Sequence, residues 1–235
     1  MRRPILFLLL TTILAAQTPE VEITAEPHHH LVFANDQVRV FSVDVAPHTD
    51  TLLHWHRHDY IYVMLGACEV SNEVAGKPPV AIKLHDAQAG FTPGPFAHIV
   101  RNQDQPFRNL TIELLQDEKL RQSSHEWDET RGLEILPGGT QEILFVKDNI
   151  RVSEFELQPG GVMPPVEHAG PMLLIALTDI GRLSEGPKNH ARMAIDQQDF
   201  AGRVGDTVWL RLGSRNGWFN AGNSPAKFVT LEFPQ

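Results

Sequence analysis

LLHWHRHDYIYVMLG, residues 52–66, carries three histidines at alternate positions, His54, His56 and His58, followed at once by Asp59. Residues two apart on a strand share a face, so His54 and His56 point one way while Trp55 and Arg57 point the other. Two imidazoles on one face are half of a metal site. Neutral imidazole suits Zn, Fe, Cu and Ni, and a carboxylate widens the choice towards Mn; catalytic sites add one or two more protein ligands and leave a position open. Asp59 offers an acid after a tight hairpin, or else a turn aspartate that bonds local N–H groups. A further histidine has to come from another strand. The candidate is His98 in AGFTPGPFAHIVRN, residues 89–102, between a Pro/Gly-rich turn and a strand ending at Asn102.

Working outward, short alternating runs bounded by Gly, Pro, Asn and Asp dominate: QVRVFSVDV, YIYVMLGACEV, FRNLTIELL, NIRVSEFEL, PMLLIALTDI and AKFVTLEF. Long helical periodicity is missing, so the chain reads as all-β. The polar stretch QDEKLRQSSHEWDETRG at 116–132 reads as part of a linker. On either side of it the sequence repeats, since FANDQVRVFSVDVAPHTDTLLHWHRHDYIYVML lies over FVKDNIRVSEFELQPGGVMPPVEHAGPMLLIAL without a gap. Phe33 falls on Phe145, Asp36 on Asp148, Arg39 on Arg151 and Pro47 on Pro159; further on, Thr111 falls on Thr230 and Glu113 on Glu232. The expected organisation is a leader at 1–16, one barrel at 20–115, a linker at 116–137 and a second barrel at 138–235. The mismatches are informative. His56 falls on His168, but His54 falls on Val166, Asp59 on Pro171 and Gly66 on Thr178, so the first copy keeps a polar constellation that the second has lost.

These residues resemble the cupin superfamily, whose first motif is G-x5-H-x-H-x(3,4)-E-x6-G and whose second is G-x5-P-x-G-x2-H-x3-N. His54, His56 and Gly66 match the first motif, and Asp59 stands as far before Gly66 as the motif's acid does. Pro93, His98 and Asn102 match the second. An aspartate replaces the glutamate with a shorter spacing, His48 replaces the opening glycine, and Pro95 replaces the glycine of the second motif. The resemblance implies two tandem cupin barrels (double-stranded β-helix, or jelly-roll), with one divalent metal (Fe, Mn, Ni, Cu or Zn) held by His54, His56, His98 and Asp59. The second barrel would then be structural or a metal-free cavity, with Asn216, Gly217 or Trp218 where His98 would fall. As a family, cupins carry out dioxygenation, isomerisation, decarboxylation and lyase chemistry.

The expected function is therefore a metal-dependent dioxygenase-like oxidoreductase or lyase acting on a small oxygenated compound, with Asp59 as ligand or base and His58 moving a proton. Tyr62 and Phe96 are candidate substrate contacts. The alternatives are a binding module, suggested by Trp209 and Trp218 in the degenerate half, and a structural protein whose motifs are relics. His28, His29 and His30 look like a metal-chelating tract, but since they lead directly into the first strand they read as an imidazole-rich edge strand; His48 reads as a border of the cavity mouth, and Cys68 as a small buried hydrophobe.

The chain of 235 residues is long enough for one large or two small cores and carries a net charge of -9, which argues against a nucleic-acid partner. Its first residues, MRRPILFLLLTTILAA, have a basic start, an apolar run and small residues, the pattern of a cleavable secretory signal too short to span a bilayer, which needs about 20 residues. The expectation is a secreted periplasmic or extracellular protein, not stably membrane-inserted after cleavage, monomeric or homodimeric.

Overall fold

The structure is a computed structural model that describes residues 20–115, 127, 130–163, 169–185, 199–210 and 218–234. The expected leader at 1–16, most of the expected linker, and His168, Asn216 and Gly217 of the second copy lie outside the described residues.

The first half forms β1 (Val21–Glu22), β2 (His29–Ala34), β3 (Val38–Val45), β4 (His54–His56), β5 (Tyr60–Met64), β6 (Cys68–Val74), β7 (Val80–Leu84), β8 (Ala89–Thr92), β9 (Phe96–Asn102) and β10 (Phe107–Leu114). They make two five-stranded sheets, in the orders β1-β4-β9-β6-β7 and β2-β3-β10-β5-β8. The second half forms β11 (Gly132–Leu136), β12 (Gly139–Lys147), β13 (Ile150–Leu157), β14 (Val162–Met163), β15 (Ala169–Ala176), β16 (Ile180–Glu185), β17 (Asp199–Gly202), β18 (Thr207–Leu210), β19 (Trp218–Asn220) and β20 (Ala226–Pro234). Its sheets run β11-β12-β13-β20-β15-β18 and β14-β19-β16-β17. The non-sequential neighbours are the crossings of a jelly-roll. The second unit begins earlier than expected, because residues 132–136, read from the sequence as linker, pair with β12. Among the described residues no helix is long and apolar enough to cross a membrane.

The internal repeat is written into the packing. Strands β3 and β13 have the same burial pattern, with Val38 and Val40 matched by Ile150 and Val152, then Phe41, Val43 and Val45 by Ser153, Phe155 and Leu157. Each strand is therefore covered on both faces. The outward residues Val38, Val40, Ile61, Val63, Leu110 and Ile112 pack with Ile150, Val152, Leu173, Ile175, Val229 and Leu231 in one continuous core between the barrels. Phe33 stacking on Trp209, with ring centroids 5.8 Å apart, extends that contact.

Polar repeats follow the same alignment. Arg39 pairs with the fully buried Glu113 at 2.7 Å, and Arg151 with the fully buried Glu232 at 2.5 Å. Burial pushes both carboxyls up, against the pull of the arginines. Asn102 donates its Nδ2 to the carbonyls of Val45 and Ala46, and Asn220 donates to those of Leu157 and Ser224. His48, which stands where the first motif has a glycine, has φ +57°, and Gly160 at the repeat position has φ +78°. The turn needs the left-handed conformation in both copies, which is the reason for glycine there.

Candidate metal centre

Strands β4 and β9 run antiparallel with His54 directly opposite His98 and His56 opposite Phe96. The alternation on β4 aims His54 and His56 into the barrel, and all three histidines are buried. Their Nε2 atoms form a triangle: His54 to His56 3.2 Å, His56 to His98 3.2 Å, His98 to His54 3.1 Å. Ligands about 2.1 Å from one ion would stand ~3.0 Å apart on an octahedral face and ~3.4 Å apart in a tetrahedron. The observed sides fall between these values, so the donor set fits a single ion.

The outer nitrogens show how the inner ones are prepared. His54 Nδ1 donates to the Leu52 carbonyl at 2.8 Å, and His98 Nδ1 donates to Asn72 Oδ1 on β6 at 2.7 Å. With the proton held on Nδ1, each ring directs an Nε2 lone pair at the centre of the triangle, the usual arrangement of a metal-binding imidazole. Burial, joined by the neighbouring histidines, lowers the proton affinity of all three. His54 falls to about 4, helped down by His29 and held up by Leu52 and Glu26, while His56 and His98 fall well below the ordinary histidine range. Three converging lone pairs that resist protons are suited to a cation.

A cavity of about 480 Å³ opens beside the triangle, lined among others by His56, His98, Tyr60, Tyr62, Phe96 and Asn109. The expected contacts Tyr62 and Phe96 both line it. Phe96 stacks on His56, with centroids 5.4 Å apart, and Tyr62 lies over Gly90 on β8, where an added Cβ would come within 2.5 Å of its hydroxyl. Burial pushes the Tyr60 hydroxyl up to about 12, so it serves as a neutral hydroxyl at ordinary pH.

The structure brings His54, His56 and His98 together but does not bring Asp59 or His58 to them. Asp59 Oδ1 accepts the Gly94 N–H at 2.9 Å, and neither residue is among those lining the cavity. The short turn after His56 turns this carboxylate to the loop of Pro93 and Pro95. Gly94 sits so close to the His58 backbone that a Cβ would lie 2.5 Å from its carbonyl oxygen. Asp59 therefore closes that loop onto the hairpin. His48 is exposed beside Asp104, at 3.6 Å, and does not border the cavity. Cys68 is buried with Met64, Val70, Leu84 and Val100, as expected, and burial raises its thiol pKa.

His29 belongs to the histidine run expected to be an edge strand rather than a chelating tract. It opens the edge strand β2, yet its ring is buried, lines the same cavity and lies with its centroid 4.6 Å from that of His54. Asn72 was missed. Its only signal would have been a polar residue at an inward position of β6, in a strand where Val70 is buried.

In the second barrel the described residues at the corresponding place form an apolar cluster. Met163, Met172, Leu174 and Trp218 pack with Phe155 and Phe228, whose rings stack 5.3 Å apart. Trp209 packs on Phe33 and Phe233. The two tryptophans that suggested a binding surface are thus occupied by the core and by the contact between the barrels.

Two jelly-roll barrels packed face to face in one chain make the bicupin fold, here with converging histidines in the first barrel. The solved structures agree. Bacillus subtilis oxalate decarboxylase, an enzyme described with Mn(II) centres, superposes with a TM-score of 0.59 at 11% identity, over 85% of this chain and 70% of that one. The formate complex of Lactobacillus farciminis oxalate decarboxylase superposes with a TM-score of 0.59 at 12% identity, over 86% of this chain and 78% of that one. No protein-family model and no curated protein matches the sequence.

Proposed function

We propose that the chain is a metal-dependent enzyme of the lyase or oxidoreductase kind, working at one divalent ion in the first barrel. The observation that carries this reading is the convergence of three buried Nε2 atoms beside a cavity. The Mn(II) centres of the decarboxylases with the same fold support it. His54, His56 and His98 would hold the ion. A bound divalent ion supplies a Lewis acid and, if redox-active, a site for one-electron chemistry.

The chain's own residues do the rest. Leu52 and Asn72 fix the tautomers of His54 and His98. Tyr60, Phe96, Val100 and Phe107 wall the cavity with apolar surface, while Asn72, Asn109, Thr92 and Thr111 offer a few uncharged polar groups. No carboxylate lines the cavity among the described residues, and Lys77 is its single lysine or arginine. A cavity of about 480 Å³ is in the range that encloses drug-sized ligands, far more room than a two-carbon diacid fills. The substrate favoured by these walls is a small, largely apolar organic compound with a chelating oxygen pair, such as a diketone or flavonol, rather than oxalate itself.

Residues 1–16 support export to the periplasm or outside the cell, and the apolar faces buried between the barrels support a monomer. The test is turnover of a panel of diketones, flavonols, hydroxy acids and oxalate by protein loaded with Mn(II) or Fe(II), set against His54→Ala. Turnover of an apolar chelating compound that is lost in the variant is expected. Equal rates in the two proteins would remove the proposal, and turnover of oxalate alone would remove the substrate class.

A further inference from the structure

We propose that His29, oriented by the buried carboxylate of Glu26, supplies a fourth nitrogen to the ion, in the role that the motif's spacing gives to Asp59. This inference rests on the metal reading above.

Ring nitrogens of His29, His54 and His56 all lie within 4.8 Å of one another. His29 reaches this position through a local device at the start of the chain. The helical turn Ile23–Ala25 closes on the Glu26 N–H, which donates to the Ile23 carbonyl, and the His29 N–H donates to the Glu26 carbonyl. Glu26 is 2% exposed and its carboxylate is fully engaged: Oε2 accepts from the His28 N–H at 2.8 Å and from His29 Nδ1 at 2.6 Å, and Oε1 accepts from the Leu52 N–H at 3.2 Å. With Nδ1 of His29 bound to this carboxylate, its Nε2 is the nitrogen left for the cavity, the carboxylate–histidine arrangement that raises the basicity of a metal-binding ring.

The same carboxylate also anchors Leu52, whose carbonyl fixes His54. Glu26 is thus a positioning residue for two histidines at once. Four nitrogens about 2.1 Å from one ion stand no more than ~4.2 Å apart, and a His29 nitrogen already within 4.8 Å of those of His54 and His56 needs at most a small ring rotation to join them. Asp59 has no such route, since its carboxylate ties Gly94. The competing reading is a buried His29–Glu26 ion pair with no part in metal binding.

The test uses the full chain, purified without a nickel column, stripped with chelator and titrated calorimetrically with Mn(II). His54→Ala should abolish binding. His29→Gln should keep one equivalent but bind about 100-fold more weakly, and Glu26→Gln about 10-fold more weakly, the scale seen when a metal site loses such support. Unchanged affinity in His29→Gln while His54→Ala binds nothing would overturn this inference and leave the metal site standing. Failure of the unmutated protein to bind Mn(II) would overturn both. A second readout needs no variant: proton NMR of the Co(II)-loaded wild type should show four exchangeable, strongly shifted imidazole N–H signals. Three would overturn the proposal even if His29→Gln does not fold.

Discussion

The two barrels share one backbone plan and differ in what fills it. Position by position, the strand pairing of Asn109 with Val43 in the first becomes that of Phe228 with Phe155 in the second, and Thr111 with Tyr62 becomes Thr230 with Leu174. Where one barrel has amides, hydroxyls and a cavity, the other has a stacked aromatic pair and methionines. Burial of apolar surface contributes about 25 cal/mol per Å², so the second barrel is built for stability and the first gives some up to keep an interior open. The comparison teaches that a duplicated fold divides the work between its copies. The features they keep in common, Arg39–Glu113 with Arg151–Glu232 and Asn102 with Asn220, belong to the scaffold.

The largest effect expected from this division is a double dissociation. Phe155→Ala should cost about 3–5 kcal/mol, the range for a large aromatic lost from a close-packed core, with metal content unchanged in the folded fraction. His56→Ala should abolish metal content, near one ion per chain in the wild type, while lowering apo-protein stability far less. Urea denaturation and ICP mass spectrometry on both variants check this, and loss of metal in Phe155→Ala would end the separation of roles.

The buried ion pairs come next. Removing one partner of a buried pair costs about 3–5 kcal/mol, and the Arg151 side chain is 12% exposed against 28% for Arg39. Arg151→Met should therefore destabilise more than Arg39→Met, in the same denaturation assay. The reverse order would mean that the exposed fraction of the arginine does not set the cost.

Acid should act on the first barrel ahead of the second. His54 takes up a proton near 6.5 in the unfolded chain but only near 4 in the fold, so between those values the unfolded state binds more protons. Its contribution is complete above about pH 6.5 and is lost as pH falls from there to 4, at a slope of about 1.4 kcal/mol per pH unit at most. Glu26, lowered from 4.5 to about 2, adds a second loss below pH 4.5. The apo-protein's denaturation midpoint at pH 7.5, 6 and 5 should fall steadily, and the fall should shrink in His54→Phe. A flat midpoint would show that the histidines are not held neutral by burial.

The smallest effect concerns what the barrels share. Asn102→Ala and Asn220→Ala each remove a buried donor to two carbonyls and should each cost about 1–3 kcal/mol, within about 0.5 kcal/mol of each other. Unequal costs would break the equivalence drawn from the alignment.

Much of this was legible in the sequence because strands advertise themselves by alternation. The repeat, the all-β class and the shared face of His54 and His56 rest on period-two patterning, while the union of these two with His98 is what the resemblance to the cupin motifs implies. Asp59 was harder to read. Spacing along the chain gives its distance from Gly66 but not the direction of a carboxylate after a two-residue turn, and the Gly94 N–H was the nearer partner. His29 was hidden for the opposite reason. A triple-histidine run at a strand edge has no sequence feature that singles out its middle member, and only the pairing of β2 with β3, together with Glu26 behind it, selects that ring. The second barrel's apolar cluster was half visible, as lost ligands, while its aromatic stack needs the register of β13 on β20.

The continuous core between the barrels also has a kinetic meaning. Its side chains come from both halves of the chain, so neither half can bury its outward face until both have been synthesised. A protease cut in the stretch joining the halves should release nothing: the fragments would stay associated as a tight heterodimer. The first half made alone should seek a second copy of itself to cover Val38, Val40, Ile61 and Ile112. Each barrel is in this sense the other's chaperone, and a lesion in the second half would silence the histidine half without touching it.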